Sequence, residues 1–307
     1  MFSKNQAAEN MKVSVVGQNN TVLLIAQHIC RLKEVTELAL VDEVHSIPSF
    51  ILTELKMVAS ILRSDVRLIA SRNPSVLAGS EVVVYCPFDF NQPQTPSPAG
   101  YFRSFESTNK DRIGGIYQHA PEAKIVVATH PSTEIVQSIH QNSNVNLGQV
   151  IGISGYLINT DLKVEISEAV GVSVEDVVSL IIGNDDEYHM LPQYCCAGGI
   201  PIDQLLSQNQ IAKLGSNVRN QPKKLVYTDF VHTISVLTAQ VVKTILLNKK
   251  RIIAVTTMIE ANGIEVCLNL PAKIGRNGAE KLTPLHLTNK QLEQFMALVK
   301  KAATQQS

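Results

Sequence analysis

The sequence predicts an α/β fold, a doubly wound parallel sheet followed by a second, α+β unit. Three observations carry that expectation. Short β-branched runs alternate with longer stretches of helical periodicity through the first half. The strand runs are apolar without interruption, as strands covered on both faces must be. After Val150 the rhythm changes to longer helices and a long hairpin. On this reading residues 1–10 are a frayed extension, 11–152 form the doubly wound unit and 153–307 form the second unit.

The elements follow in order. Lys12–Val16 (KVSVV) is the first strand, closed by Gly17 and a polar turn, and Val22–Leu32 is the first helix. Leu38–Val41 is the second strand and ends at Asp42. Ile47–Leu62 repeats apolar residues at helical spacing, at Ile51, Leu55, Val58 and Leu62. Val66–Ser71, Glu81–Tyr85 and Lys124–Thr129 supply three more strands. Such a sheet places its ligand crevice outside the carboxyl ends of its strands. The segment Pro87–Gly100, with four prolines, leaves that edge and reads as a lid. In the second half, Leu157–Val170 is helical, and Asp176–Ile182 is a strand that runs into a loop, Gly183–Pro192. Ile202–Leu214 and Asp229–Leu247 are helices. Ile252–Ile259 and Ile264–Leu270 form a hairpin turned at Asn262 and Gly263, and Asn289–Ala303 is a closing amphipathic helix.

Composition removes several classes of function. The 27 basic and 27 acidic residues cancel, which argues against a footprint for nucleic acid. Trp is absent and aromatics make up 5%, so no stacking platform for bases is expected. No apolar run approaches the roughly 20 residues that span a bilayer. Met1–Asn10 has neither the apolar core of a secretory signal nor the Arg-rich character of a transit peptide, so the expected location is the cytoplasm. The five cysteines have no C-x-x-C spacing and read as buried thiols, with no metal site.

Six segments then carry a resemblance. KVSVVG (12–17), LALVD (38–42), LAGSEVVVY (77–85), VIGISGYL (150–157), GIPI (199–202) and LNLPAKIGRNGAEKL (268–282) resemble landmarks of the lactate/malate dehydrogenase family, and the last is the most specific. The likeness runs from about Lys12 to Ala303. It implies a Rossmann-like first domain with NAD lying across it and a His–Asp pair that moves a proton. It also implies arginines that hold the carboxylate of a 2-hydroxy or 2-keto acid. A homo-oligomer, dimer or tetramer, is implied through the helix matching Ile47–Leu62, with Phe50, Ile51, Leu55 and Val58 on its apolar face.

Residue by residue, most of the family's chemistry is altered. The G-x-G-x-x-G cradle reads Gly17-Gln18-Asn19-Asn20-Thr21-Val22, so only the first glycine is kept. The later glycines let the backbone approach the pyrophosphate and let helix and strand pack closely. Gly17, Asn19 and Asp42 are the cofactor-binding candidates; Asp42 matches the acid that binds ribose hydroxyls. The losses at Asn19 and Val22 count against NAD in its usual geometry. The segment that supplies the family's acid/base His reads GNDDEYHMLP (183–192), which puts Asp185 or Asp186 at the His position, with His189 nearby. The partner Asp is matched by Ile158 and the carboxylate-binding Arg by Asp161, a charge reversal. Arg103 and Arg112 are the remaining candidates for a substrate clamp. Where the family places Asn before Pro after the fifth strand, this chain has His130–Pro131. One His and one carboxylate are thus gained at facing positions, which suggests His130 and Asp185 as a relocated acid/base pair. The expectation is a non-catalytic homologue acting in binding or assembly, with a nucleotide or other small molecule as its ligand class. The rival is an NAD-dependent oxidoreductase on an altered substrate, which requires His130 or His189.

Overall fold

The computed structural model describes residues 11–17, 19–42, 47–87, 106–220, 230–261 and 263–304. The predicted lid beyond Pro87, Arg103 and Asn262 lie outside the described residues. Six strands form the parallel part of the sheet: β1 (Lys12–Gly17), β2 (Glu37–Val41), β3 (Arg67–Ser71), β4 (Val82–Cys86), β5 (Lys124–Val127) and β6 (Val150–Gly152). Their order across the sheet is β3-β2-β1-β4-β5-β6, and each neighbouring pair is parallel. The alternation of side chains explains the unbroken apolar runs. Val82 and Val84 face one layer of helices, while Val83 and Tyr85 face the other.

The first layer contains α1 (Asn19–Ile29) and α2 (Ser49–Ile61), and the opposite layer contains α3 (Glu106–His119) and α4 (Thr133–Asn142). Helix α1 starts three residues before the expected Val22, because the polar turn residues Asn19 and Asn20 already wind into it. Helix α2 sends Ile51 and Leu55 into the core. Phe50, expected on the same apolar face, is instead 64% exposed, since it precedes Ile51 by one residue and so lies about 100° round the helix.

The second half continues the same sheet. Its elements are α5 (Ser154–Val170), β7 (Val177–Val178), β8 (Ile181–Asn184), β9 (Glu187–Met190), β10 (Cys196–Ala197), β11 (Ile200–Pro201), α6 (Ile202–Leu205), α7 (Gln208–Asn220), α8 (Val231–Leu246), β12 (Arg251–Ala261), β13 (Ile264–Gly275), β14 (Gly278–Leu282) and α9 (Asn289–Thr304). Strand β12 pairs antiparallel with β6, and the path runs on through β13, β8 and β9, with β14 on the side of β13, to give 11 strands. Helix α1 also packs against α8, so the two halves share a sheet and a helical layer. Among the described residues, no helix is long and apolar enough to cross a membrane.

Two expectations are corrected here. The predicted loop Gly183–Pro192 is mostly a hairpin, β8–β9, in which Asn184 pairs with Glu187 and Asp185 and Asp186 form the turn. Its cluster of Asn and acids reads as loop because those residues favour turns. The predicted helix Ile202–Leu214 is two helices. Leu206 is extended, and Ser207 and Gln210 form a reciprocal capping box that starts α7.

Candidate functional site

The site is built on a single row of cross-strand neighbours. Gly152, Thr256, Asn269, Gly183 and Tyr188 lie side by side on β6, β12, β13, β8 and β9. Neighbours in such a row project to the same face of the sheet. Thr256, Asn269 and Tyr188 are therefore brought together although their segments are far apart in sequence. Above the row, β5 runs out through Ala128 and Thr129 to His130, and the chain turns at Pro131–Ser132 into α4. Ser154, the first residue of α5, completes the corner.

Hydrogen bonds link these side chains into one buried network. The Ser132 hydroxyl donates to Ser154 Oγ at 2.8 Å and lies 2.8 Å from Thr256 Oγ1. Thr256 donates to Asn269 Oδ1 at 2.5 Å, and Asn269 Nδ2 donates to the Tyr188 oxygen at 3.3 Å. His130 Nδ1 lies 3.0 Å from Ser154 Oγ and 3.9 Å from Asp185 Oδ1. Asp185 itself is delivered by the β8–β9 turn, which Asn184 shapes by accepting the Asp186 and Glu187 N–H groups on its own side chain. The Asp185 Oδ2 accepts the backbone N–H of Ser132 at 2.7 Å and of Thr133 at 2.6 Å. Its Oδ1 accepts the Tyr188 hydroxyl at 2.6 Å and Asn269 Nδ2 at 3.5 Å.

The electrostatics follow from that geometry. Burial alone would raise the Asp185 carboxyl, but the His130 ring, the Tyr188 hydroxyl and the Thr133 N–H outweigh it and hold the group below the usual carboxylate range. The N-terminal end of α4 adds its positive dipole end. His130 is 3% exposed, and burial lowers its affinity for a proton although Asp185 pulls the other way. Burial and the neighbouring Asp185 raise Tyr188, so it stays a hydroxyl donor.

Two glycines make room for the network. A Cβ at Gly152 would meet Ser132 Oγ and would lie 2.8 Å from Thr256 Cβ. A Cβ at Gly155 would lie 2.8 Å from Asn269 Oδ1. Both belong to the segment VIGISGYL.

The other candidates are placed apart from this corner. His189 follows Tyr188 in β9 and so faces the opposite side of the sheet. Its Nε2 lies 3.3 Å from Glu187 Oε1. It stands in a strand rather than in the expected loop. Arg112 is on α3 and only 4% exposed, and its Nη2 finds no hydrogen-bond partner among the described residues. Among the described residues it makes no hydrogen bond or ion pair with His130 or Asp185. Ile158 is fully buried in a hydrophobic cluster with Leu162, Ile166 and Tyr188. Asp161, on the next turn of α5, has an interaction of its own.

The cofactor positions can be compared with what a dinucleotide requires. Gly17 keeps its close approach, since a Cβ there would lie 2.6 Å from Cys86 Cβ. Asn19 opens α1. Val22 is buried in the cluster that includes Val13 and Val15, filling the helix–strand contact that a glycine would leave close. Asp42, directly after β2, is 3% exposed and engaged in an interaction. These residues do not fit the glycine-fingerprint cradle for NAD. No group of three or more His, Cys, Asp or Glu residues able to hold a metal ion occurs among the described residues.

Sequence reasoning missed Ser132, Ser154, Tyr188, Thr256 and Asn269. A signal existed for Asn269, a lone amide in the apolar run LNLP, because a polar residue at a buried strand position demands a partner.

The fold is a doubly wound α/β sheet that continues into an antiparallel second half, with a buried polar network at the end of β5. No family model matches the chain. It is 28% identical over 289 residues to a malate dehydrogenase of Cytophaga hutchinsonii, covering 90% of this chain and 91% of that one. It is 26% identical over 299 residues to a malate dehydrogenase of Desulforudis audaxviator, covering 92% and 94%. Among solved structures, the lactate dehydrogenase of Cryptosporidium parvum with lactic acid and nicotinamide adenine dinucleotide matches with a TM-score of 0.84 at 19% identity, covering 96% of each chain. The apo malate dehydrogenase of Picrophilus torridus matches with a TM-score of 0.82 at 22% identity, covering 95% of each. Sequence likeness and fold likeness point to one family, the lactate/malate dehydrogenases, which this chain resembles over 90% or more of its length.

Proposed function

We propose that this chain is a lactate/malate dehydrogenase-like protein that acts in binding or assembly rather than in hydride transfer. One observation carries the reading. Asp185, one of the two residues that match the family's acid/base His, spends both carboxylate oxygens on the protein's own donors. A general acid or base must reach the proton it moves, and a carboxylate enclosed in this way has no open lone pair at short range for a substrate. The charge reversal at Asp161 and the altered cradle at Val22 support the same reading. A homo-oligomer, dimer or tetramer, and a cytoplasmic location belong to the proposal, as does a nucleotide or other small molecule as ligand.

The test is a titration with NADH, following the cofactor's fluorescence in a chain that has no Trp. The expected result is no saturable binding up to millimolar NADH and no turnover of malate or lactate with NAD. Micromolar binding together with turnover would overturn the reading.

A second reading is an NAD-dependent oxidoreductase acting on an altered substrate. It is favoured by the meeting of His130 and Asp185 at the carboxyl end of β5. It requires that a screen of carbonyl compounds yield an activity that His130→Gln abolishes. His189, facing the other way, is the weaker candidate for that role.

A further inference from the structure

We propose that Asp185 is the resident occupant of an anion site at the start of α4, an internal ligand that closes this part of the crevice to external carboxylates. It builds on the reading of a crevice without hydride chemistry. Its test reads anion binding rather than turnover, so the two fail separately.

A helix start presents unsatisfied N–H groups and the positive end of the dipole, and this favours an anion. Normally the residue at the cap supplies an oxygen from its own side chain. Here Ser132 does not, because its hydroxyl is committed to Ser154 and Thr256. The acceptor comes instead from the far half of the chain. Asp185 Oδ2 takes the Ser132 and Thr133 N–H groups, while Oδ1 takes the Tyr188 hydroxyl and faces Asn269 Nδ2 and His130 Nδ1. Donors from the start of α4, β9 and β13 thus surround one carboxylate, with the His130 ring 3.9 Å away, as they would a bound small carboxylate. The donors do not depend on the short turn that carries Asp185. Tyr188 is fixed in β9, Asn269 by Thr256, and the two N–H groups by α4. Truncating the side chain therefore leaves a formed receptor for a one- or two-carbon carboxylate.

The experiment compares the full chain with Asp185→Ala in thermal unfolding, with sodium formate or sodium acetate against sodium chloride at equal ionic strength. The variant is expected to melt lower than the parent and to regain stability saturably with formate, beyond any effect of chloride. The parent is expected to show no formate-specific shift, because its site is filled. Absence of a formate-specific shift in the variant, or its presence in the parent, would overturn the proposal. If Asp185→Ala does not fold, carboxyl NMR titrations of the parent and Tyr188→Phe decide. Loss of one donor should raise the Asp185 midpoint by about one unit, a tenfold gain in proton affinity. Equal midpoints in the two proteins would overturn it.

Discussion

The Asp185 carboxylate accepts the backbone N–H of Thr133 at 2.6 Å, although 52 positions separate the two residues. The bond joins the β8–β9 turn to the start of α4 and so ties the second half of the chain to the first. Cutting it leaves two helix N–H groups and a tyrosine hydroxyl without their acceptor. We expect Asp185→Ala to cost about 2–5 kcal/mol in urea unfolding. A loss below about 1 kcal/mol would mean that the corner relaxes or that water replaces the carboxylate.

Gly155 stands under Asn269, whose Oδ1 would lie 2.8 Å and whose Cβ would lie 3.1 Å from an added methyl. Gly155→Ala must push α5 away from β13 or turn the amide out of its bond with Thr256. The expected cost is about 1–3 kcal/mol, read from the midpoint shift in denaturant. Gly171, which has open space around its Cβ position but a positive φ of 79°, would respond through backbone strain instead.

Stability should fall with acid in a window set by buried histidines. Burial holds His140 at a pKa of about 4 against an ordinary 6.5, and its Nε2 has no hydrogen-bond partner among the described residues. The unfolded chain therefore binds a proton that the folded chain refuses between those values, and unfolding gains as pH drops from about 6.5 toward 4. His130, lowered by burial, acts in the same direction. Above about 6.5 the contribution is fully present and flat. His140→Leu should lessen the slope of melting temperature against pH in that window, by at most about 1.4 kcal/mol per pH unit. An unchanged slope would refute the assignment.

Helix α2 carries Phe50, Met57 and Ile61 along one outward stripe, at 64%, 63% and 79% exposure. The proposed assembly places this stripe against a second copy of the chain, the occupant the family resemblance implies. Light scattering should report a dimer or larger species, and Met57→Glu should shift it toward the monomer mass. A monomer in the parent would remove the assembly part of the proposed function.

The doubly wound half was legible because its strands are buried on both faces. Unbroken runs such as EVVVY have few alternatives once helical stretches alternate with them. The hairpin at Gly183–Met190 was hidden by its own turn, since Asn184, Asp185 and Asp186 read equally as loop. His130 and Asp185 were singled out from sequence by their departures from a known pattern, and the structure brings them within 3.9 Å. Tyr188 and Thr256 look like ordinary strand content when read alone, and Asn269 stands out only as a lone amide in an apolar run.

The sequence by itself determined the fold class and the order of the strands' segments, because these are properties of local pattern. Only the tertiary structure decided which polar groups face one another. The row from Gly152 through Thr256, Asn269 and Gly183 to Tyr188 exists because five strands pair in one register. Register is a long-range outcome of packing, and a one-residue slip would send each of those side chains to the other face of the sheet.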